Sequence, residues 1–371
     1  MKILYVVSDD RYFCSHRMNV AKAAQQAGHQ IFVACGVTEY TETILQEGFE
    51  LIDLRYDRKG LNILGDLKLV SVLKKSFQQA EPDLIHVVAL RMSLFAGIAA
   101  KWVRVPKRLY AITGLGHLFL ARSWKIRCAR FIVKLLLRWI FCHKHSTVVV
   151  QNQDDYALFS TLINVERLML IPGSGVDAQY FQPVSNKEKH SPLCVILVAR
   201  AIKEKGVLEF IAAAKLLKER DVACKMILVG DTHPANPSSL TQIQLQAFHD
   251  QGLIEWWGHR EDMRHVWQET DIAVLPSYRE GLPKSLLEAA SCGLPIITTN
   301  VTGCRDVVEH HHTGWLIPIK SPEALANAIE EAIAKPELCE QYGLAARKKV
   351  LDVFSDTKII GQFLALYVTL E

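Results

Sequence analysis

Two glutamates eight residues apart, Glu280 and Glu288, flank a turn in the run Pro276-Ser-Tyr-Arg-Glu-Gly-Leu-Pro-Lys-Ser-Leu-Leu-Glu-Ala-Ala-Ser-Cys-Gly-Leu-Pro295. Two carboxylates placed across a turn that opens a helix form a layout that suits a phosphorylated ligand. The preceding Asp271 to Leu275 reads as a buried strand, Gly281 permits a tight turn, and Pro283 suits the first helical position, where a missing N–H costs nothing. The pattern predicts a helix from about Pro283, with Glu280 just ahead of it and Glu288 in its second turn. The unpaired amides of that terminus, with those of Gly281 and Leu282, favour a phosphate oxygen. Spacing alone is met equally well by two carboxylates that cap and solubilise a surface helix.

A second group lies upstream. Val195 to Ala199 reads as a buried strand, and Arg200-Ala-Ile-Lys-Glu-Lys-Gly206 leads from it into an amphipathic helix with apolar Leu208, Ile211, Ala212 and Leu216. An arginine grips a diphosphate through its planar fork, and a lysine adds a compact charge. Arg200 and Lys205 together suit an anionic ligand better than either does alone.

Other phosphate and metal chemistries fit poorly. Gly114-Leu-Gly116-His-Leu-Phe119 lacks the third glycine of a dinucleotide fingerprint, and no glycine-rich loop ends in Gly-Lys-Ser/Thr. NAD and ATP chemistry are disfavoured, and no cofactor is expected. There is no Asp-X-Asp to hold a metal, and His310, His311 and His312, being adjacent, cannot all face one ion from a regular element. They read as a solvated loop, and no metal is expected. The nine cysteines show no Cys-X-X-Cys spacing and read as reduced residues of a cytosolic protein.

The elements that must position these groups alternate. Strand-like runs at Ile3–Val7, Gln30–Ala34, Leu84–Val88, Leu109–Thr113 and Thr147–Gln151 are separated by helical stretches. A second series follows at Cys194–Ala199, Lys225–Gly230, Ile254–Trp257, Ile272–Leu275 and Pro295–Thr299. This is the pattern of parallel sheets covered by helices on both faces. At 371 residues, half of them apolar, two domains are expected, 1–181 and 193–355, joined by the polar segment 182–192. A last helix over 356–371 is expected to return to the first domain.

Charge is uneven. Residues 1–185 carry 23 lysines and arginines against 15 acidic residues, whereas the remainder carries 20 against 24. Residues 122–144 hold seven lysines and arginines and no acidic residue. Arg127, Arg130, Lys134 and Arg138 recur at helical spacing beside Phe131, Leu135, Leu136 and Trp139. Such a helix suits an anionic membrane surface and equally a core helix with a basic solvent face, and the tryptophans favour the membrane. No uncharged stretch reaches the ~20 residues needed to span a bilayer, and the five apolar residues from Ile3 are too few for a signal core. A cytoplasmic protein, peripheral on the inner face of the cytoplasmic membrane, is the expectation. No nucleic-acid module is evident.

The segment 276–295 resembles the large retaining family four of nucleotide-sugar glycosyltransferases, in which two glutamates are separated by seven residues. Pro276-Ser277, Gly281, Pro283, Ala289, Gly293 and Pro295 also fall where that family has them. Phe13-Cys-Ser-His-Arg-Met-Asn, Ile112-Thr-Gly-Leu-Gly-His-Leu-Phe119, Val150-Gln-Asn-Gln-Asp-Asp155, Asp231-Thr-His-Pro-Ala-Asn-Pro237, Trp257-Gly-His-Arg260 and Gly303-Cys-Arg-Asp306 resemble the branch that builds capsule, O-antigen and lipid-linked oligosaccharide repeats. The resemblance implies an α/β protein of the GT-B fold, two Rossmann-like parallel-sheet domains facing a central cleft that holds the site. It implies transfer of a sugar, often N-acetylated, from a UDP-sugar donor to a polyprenyl-diphosphate-linked acceptor, with retention and without a metal.

By that resemblance Glu280 meets the donor sugar and Glu288 the ribose, with Gly281, Leu282, Pro283, Gly230 and Arg260 around the nucleotide sugar. Arg200 and Lys205 steady the departing diphosphate, whose phosphate acts as the base for the acceptor hydroxyl. Two departures stand out. Where many members carry Gly-Gly in the first loop, this chain has Ser15-His16-Arg17, so His16 and Arg17 become candidates for the donor diphosphate or the acceptor. Where many carry a histidine, this chain has Thr113 or Gly114, and His117 is no established substitute. A nucleotide-sugar 2-epimerase of the same architecture, a phosphorylase with a pyridoxal cofactor and a silent binding module are the alternatives. An epimerase needs no membrane helix, a pyridoxal enzyme absorbs visibly, and a silent module need not keep the four charged residues.

Overall fold

The computed structural model describes residues 1–55, 63–114, 124–184, 190–234 and 236–371, except for the side chains of 63–67 and 124–130. The described chain forms two compact units, one of residues 1–174 with 359–371 and one of residues 175–358. The division falls ahead of the segment 182–192 that composition marks as the linker. Val176, Ala178 and Phe181 are buried in the core of the second unit, so the chain has entered that unit before the polar segment begins.

The first unit contains seven strands, β1 (Lys2–Asp9), β2 (Gln30–Gly36), β3 (Glu50–Asp53), β4 (Leu84–Val88), β5 (Lys107–Ile112), β6 (Ser146–Val150) and β7 (Leu168–Leu170), in the order β3-β2-β1-β4-β5-β6-β7. Every pairing is parallel. Central strands such as β1 and β4 are buried along nearly their whole length, which is why they read as continuous apolar runs rather than alternating ones. Two cores, one on each face, take their alternate side chains: Leu4, Val6, Ile85 and Val87 on one, Ile3, Tyr5, Val7 and Leu84 on the other.

The second core is completed from the far end of the sequence. Ile359, Phe363, Leu366 and Tyr367 of the helix Asp356–Leu370 are buried in it. The Tyr367 hydroxyl lies 2.8 Å from that of Tyr5 and 2.7 Å from His86 Nδ1. Burial holds His86 well below its ordinary pKa, so this buried cluster is built from neutral groups.

The second unit contains six strands, β8 (Leu193–Val198), β9 (Cys224–Val229), β10 (Glu255–Gly258), β11 (Ile272–Leu275), β12 (Ile296–Thr299) and β13 (Gly314–Ile317), in the order β10-β9-β8-β11-β12-β13. These pairings are parallel too. The expected parallel sheets are therefore present. The strands missing from the sequence reading are β3, β7 and β13, all at sheet edges. An edge strand has one neighbour and is short, so its composition carries little signal.

Candidate active site

The order in which strands are added to the sheet reverses between β8 and β11. The connections from β8 step outward through β9 to β10, and the chain then returns to place β11 on the other side of β8. Loops leaving the carboxyl ends of two such strands diverge and open a crevice, the usual ligand site of an open parallel sheet. Arg200 and Lys205 follow β8, while Glu280 and Glu288 follow β11. The topology thus gathers residues eighty positions apart in the chain.

The two loops are locked together. Gly206 adopts φ +73°, and a Cβ there would lie 2.1 Å from the Pro276 carbonyl oxygen. Ser277 Oγ donates to the Glu204 carbonyl at 3.0 Å, and the Tyr278 amide donates to the same oxygen at 2.9 Å. Gly230, at φ +138°, would place a Cβ 1.9 Å from the Ala199 carbonyl oxygen, so it serves close approach of β9's end to β8's end.

This locking brings Lys205 Nζ to 2.5 Å and 2.7 Å from the two oxygens of Glu280. Both side chains are largely shielded, 21% and 10% exposed. An ammonium has three donors and Glu280 takes two, which leaves the third for a ligand oxygen, while the carboxylate retains lone pairs for hydroxyls. On its other side the Glu280 amide donates to the Thr302 carbonyl at 3.1 Å, and Gly303, at φ +81°, would place a Cβ 2.7 Å from the Gly281 carbonyl oxygen. The family motif includes Gly303, but the sequence offers no sign that it abuts Glu280 and Gly281.

The helix Lys284–Ser291 follows with Pro283 as its N-cap, one residue later than the spacing predicts. Pro283 offers no side-chain acceptor to the first turn, so Gly281, Leu282 and Pro283 lead directly into a helix amino terminus. Glu288 lies in the second turn. It is 7% exposed, accepts from Trp267 Nε1 at 3.1 Å and has Lys284 Nζ 3.9 Å away. Burial raises its pKa above the ordinary 4.5, with Lys284 and the Trp267 bond opposing the rise. Trp267 is absent from the sequence reading because it lies 21 residues upstream in another helix, where an aromatic residue signals only core.

Arg200 is exposed just beyond β8. Arg260, also exposed, lies beyond β10 with its guanidinium 5.7 Å from the Trp257 ring centroid.

In the first unit, Ser15 and His16 belong to the helix Asp10–His16, which follows β1 directly, so the expected first loop is a helix. Its amino terminus is capped by Asp9, which accepts from the Tyr12 amide. His16 is half-buried, stacked on Tyr12 at 4.3 Å and 2.6 Å from Ser15 Oγ through Nδ1. Arg17, expected to meet the donor diphosphate or the acceptor, is buried in this structure. It is 1% exposed, with its guanidinium 5.4 Å from the Phe363 ring centroid. The return of the C-terminal helix covers it, which no local sequence signal reveals. Thr113 and Gly114 are half-buried just beyond β5. His117 lies outside the described residues.

The histidines His310, His311 and His312 are exposed, as a solvated loop requires. One group among the described residues has metal-ligating chemistry: His190, Cys194 and Asp271, with ligand atoms within 4.8 Å of one another. It lies at the amino end of β8, the opposite end of the strand from Arg200 and Lys205. His190 there meets Asp271 at 2.8 Å and Glu269 at 3.2 Å.

The described segment of the basic helix, Trp124–Phe141, has an orientation that the charge stripe does not anticipate. Leu137, Ile140 and Phe141 are buried in the first unit, while Phe131, Ile132, Leu135, Leu136 and Trp139 are 39 to 64% exposed. Lys134 is half-buried and Arg138 exposed. The side chains of Arg127 and Arg130 lie outside the described residues.

Known proteins share this fold. Residues 179–349 match the family "Glycosyl transferases group 1", and residues 2–152 match "Glycosyl transferase 4-like". The two matches together cover both parallel α/β units and define a sugar-transferring enzyme, and the chain belongs to the group 1, family-four glycosyltransferases. It is 28% identical over 95% of its length and 94% of the relative's to the N,N'-diacetylbacillosaminyl-diphospho-undecaprenol alpha-1,3-N-acetylgalactosaminyltransferase of Campylobacter jejuni. To the UDP-Gal:alpha-D-GlcNAc-diphosphoundecaprenol alpha-1,3-galactosyltransferase of Escherichia coli it is 26% identical, over 84% of this chain and 81% of that one. Among solved structures, HepE of Anabaena, in complex with UDP and glucose, superposes with TM-score 0.79 at 19% identity and full coverage of both chains. Sucrose-phosphate synthase of Thermosynechococcus elongatus gives 0.80 at 20%, covering 100% of this chain and 99% of that one. These two likenesses establish the GT-B fold, and the protein is a glycosyltransferase.

Proposed function

We infer that this glycosyltransferase moves a sugar, of N-acetylated hexosamine type, from a UDP-sugar to a polyprenyl-diphosphate-linked acceptor in surface polysaccharide or lipid-linked oligosaccharide synthesis. The observation that carries the donor reading is the Lys205–Glu280 pair at the β8 and β11 ends, with Glu288 buried one helical turn further on. The acceptor reading rests on the two relatives whose names specify a diphospho-undecaprenol-linked sugar. The direct test is a panel of UDP-sugars against short polyprenyl-diphosphate-linked acceptors. Transfer of no sugar from any UDP donor to a lipid-linked acceptor would remove this reading.

In the proposed reaction the acceptor hydroxyl attacks the anomeric carbon on the face from which UDP departs, so the configuration is retained. The C–O bond to the diphosphate breaks with its electron pair going to the phosphate oxygen, which accepts the hydroxyl proton. Lys205, through its third donor, and Arg200 stabilise the charge that grows there. Glu280 orients the sugar, and Glu288 accepts from the ribose. Gly281, Leu282, Pro283, Gly230 and Arg260 surround the nucleotide, and His16, Thr113 and Gly114 are the acceptor-side candidates.

Separate roles predict separate losses. Glu280→Gln keeps shape but removes charge, and turnover should fall more than about tenfold, roughly 1.4 kcal/mol of barrier, with UDP affinity nearly unchanged. Glu288→Gln should instead weaken UDP binding. Calorimetric titration with UDP beside initial rates separates the two, and equal effects on affinity would contradict the assignment.

Because positive charge comes from Arg200, Lys205 and helix-terminal amides, we propose a chemical step that needs no metal. Initial rates in excess EDTA should match those without it, and a strict Mg²⁺ or Mn²⁺ requirement would oppose the proposal.

A pH dependence follows from Glu288. The fold binds its proton more readily than the unfolded chain does, so this group's contribution to stability falls as pH rises through the window above 4.5. Ribose hydroxyls need the carboxylate, so UDP affinity should run the other way and weaken as pH falls through the same window. Titrations across that window should show this slope in the wild type and lose it in Glu288→Gln.

The membrane surface completes the proposal. The exposed Phe131, Ile132, Leu135, Leu136 and Trp139, with Arg138 beside them, suit a helix lying in a lipid interface, on the inner face of the cytoplasmic membrane where nucleotide sugars are available. Apolar residues lead this contact, with charge in support. No described helix is long and apolar enough to cross a membrane.

A further inference from the structure

The base of the first unit holds a cavity of about 480 Å³, lined by Lys101, Arg104, Val105, Pro106, Arg108, His143, Lys144 and His145. Six of the eight are basic, and none is acidic. It forms where the helix Leu90–Val103 ends ahead of β5 and where the basic helix ends ahead of β6. Carbonyls at two helix ends attract cations, and this accounts for two of the six. Arg108 donates from Nη2 to the Ala100 carbonyl at 3.1 Å, and Lys101 Nζ to the Trp139 carbonyl at 2.7 Å. Arg104, His143, Lys144 and His145 remain without that explanation.

Arg108 points to an anion, because the carbonyls that take its Nε and Nη2 leave the buried Nη1 without a hydrogen-bond partner among the described residues. It is 2% exposed, and no carboxylate pairs with it among the described residues. A buried guanidinium ordinarily has an anionic partner, because the desolvation cost is otherwise uncompensated. Its neighbours add to the imbalance: burial first, then Arg108, His145, Lys101 and Lys144, hold His143 below its ordinary pKa. An anion entering the cavity would relieve this repulsion.

The cavity also adjoins the exposed apolar stripe. Lys101 Nζ lies 3.7 Å from the ring centroid of Trp139, the last residue of that stripe, and the neighbouring Trp102 is 63% exposed. Two exposed tryptophans beside clustered cations are the pattern of a membrane interface. We propose that this cavity takes a phosphate group, presented by the headgroup of an anionic phospholipid.

This rests on the reading that the helix Trp124–Phe141 lies on a membrane, and it adds a function to the helix's carboxyl end. The crossover from β5 to β6 places that end at the amino ends of the strands, 18 residues or about 27 Å from its start on the site side. A headgroup held there would secure the far end of the helix. The near end could then lie over the same leaflet as the acceptor.

The test is flotation with phosphatidylglycerol/phosphatidylcholine vesicles and with pure phosphatidylcholine vesicles. Arg104→Glu/Lys144→Glu should reduce partition onto the anionic vesicles at least about tenfold, since each basic residue contributes at a charged surface. Lys74→Glu/Lys75→Glu, the same change in net charge on the exposed face of the helix Ile63–Ala80, should change partition less than about threefold. Equal losses in the two pairs would overturn the cavity and leave only net charge. Phe131→Ser/Leu135→Ser/Trp139→Ser tests the underlying reading. If the wild type binds, this variant releases and the cavity variant does not, the helix reading stands and the headgroup site falls. If the wild type binds neither vesicle, both fall. A third arm adds millimolar inorganic phosphate at constant ionic strength. If phosphate raises the melting temperature of the wild type but not of the cavity variant, while the two partition equally onto vesicles, the ligand is a free anion and the lipid assignment is overturned.

Discussion

Lys205→Met is expected to lower kcat about a hundredfold or more, the scale of removing one preorganised donor from a developing oxyanion. Methionine keeps the length and the apolar stem, so the packing of the loop before Gly206 survives. What disappears is the ammonium that spans both oxygens of Glu280 and carries one donor beyond them. Glu280, 10% exposed in its side chain, then stands in a shielded place without its cation, and its hold on the sugar weakens together with that on the diphosphate. The loss should therefore exceed that of Glu280→Gln. Stopped-time assays with a saturating UDP-sugar, beside a thermal melt to confirm folding, measure it. A kcat within about threefold of wild type would show that the leaving group is stabilised elsewhere.

Gly206→Ala is expected to lower stability as well as turnover, and for a steric reason. At φ +73° an L side chain is already strained by about 1–2 kcal/mol. The added methyl would fall 2.1 Å from the Pro276 carbonyl oxygen and 2.7 Å from its carbon, and these are backbone atoms at the end of a central strand. Overpacking of this sort adds about 1–3 kcal/mol. The loop after β8 must then draw away from the loop after β11, and Lys205 with it. Stability and turnover should fall together, the latter by more than about tenfold. Gly361→Ala provides the contrast: nothing lies within 4 Å of its added carbon, it is in a helix, and alanine there should be neutral or stabilising by up to about 1 kcal/mol. If Gly206→Ala melts like Gly361→Ala and turns over normally, the loop has slack that the geometry does not show.

Both effects depend on a distance the chain does not advertise. The motif around Glu280 and the Arg200 to Lys205 segment are each readable, because turn glycine, helix-start proline and charged residues are local choices with local physical reasons. Their contact requires β8 and β11 to be adjacent, which follows from the strand order. Glu288 illustrates the same limit: its position in the second turn follows from spacing, whereas its burial against Trp267 and its raised pKa come from a different helix.

Arg17 and the basic helix have surroundings that the chain alone does not reveal. Arg17 sits among polar residues near the first strand's end and reads as a ligand contact, yet the helix Asp356–Leu370 covers it from more than 300 residues away. In the basic helix the charges dominate the reading. Which face turns inward is set by the packing of Leu137, Ile140 and Phe141, and this leaves five large apolar residues outside.

The sequence by itself determined the fold class, ten of the thirteen described strands and the motifs that carry Arg200, Lys205, Glu280 and Glu288, because buried parallel strands and helix starts have strong local signatures. Only the tertiary structure decided three of the four edge strands, the division of the chain before residue 175, the pairing of Lys205 with Glu280, the burial of Arg17 and the outward face of the basic helix. Those depend on which elements become neighbours. Neighbourhood is set by the summed burial of whole faces, a quantity that no short stretch of residues contains.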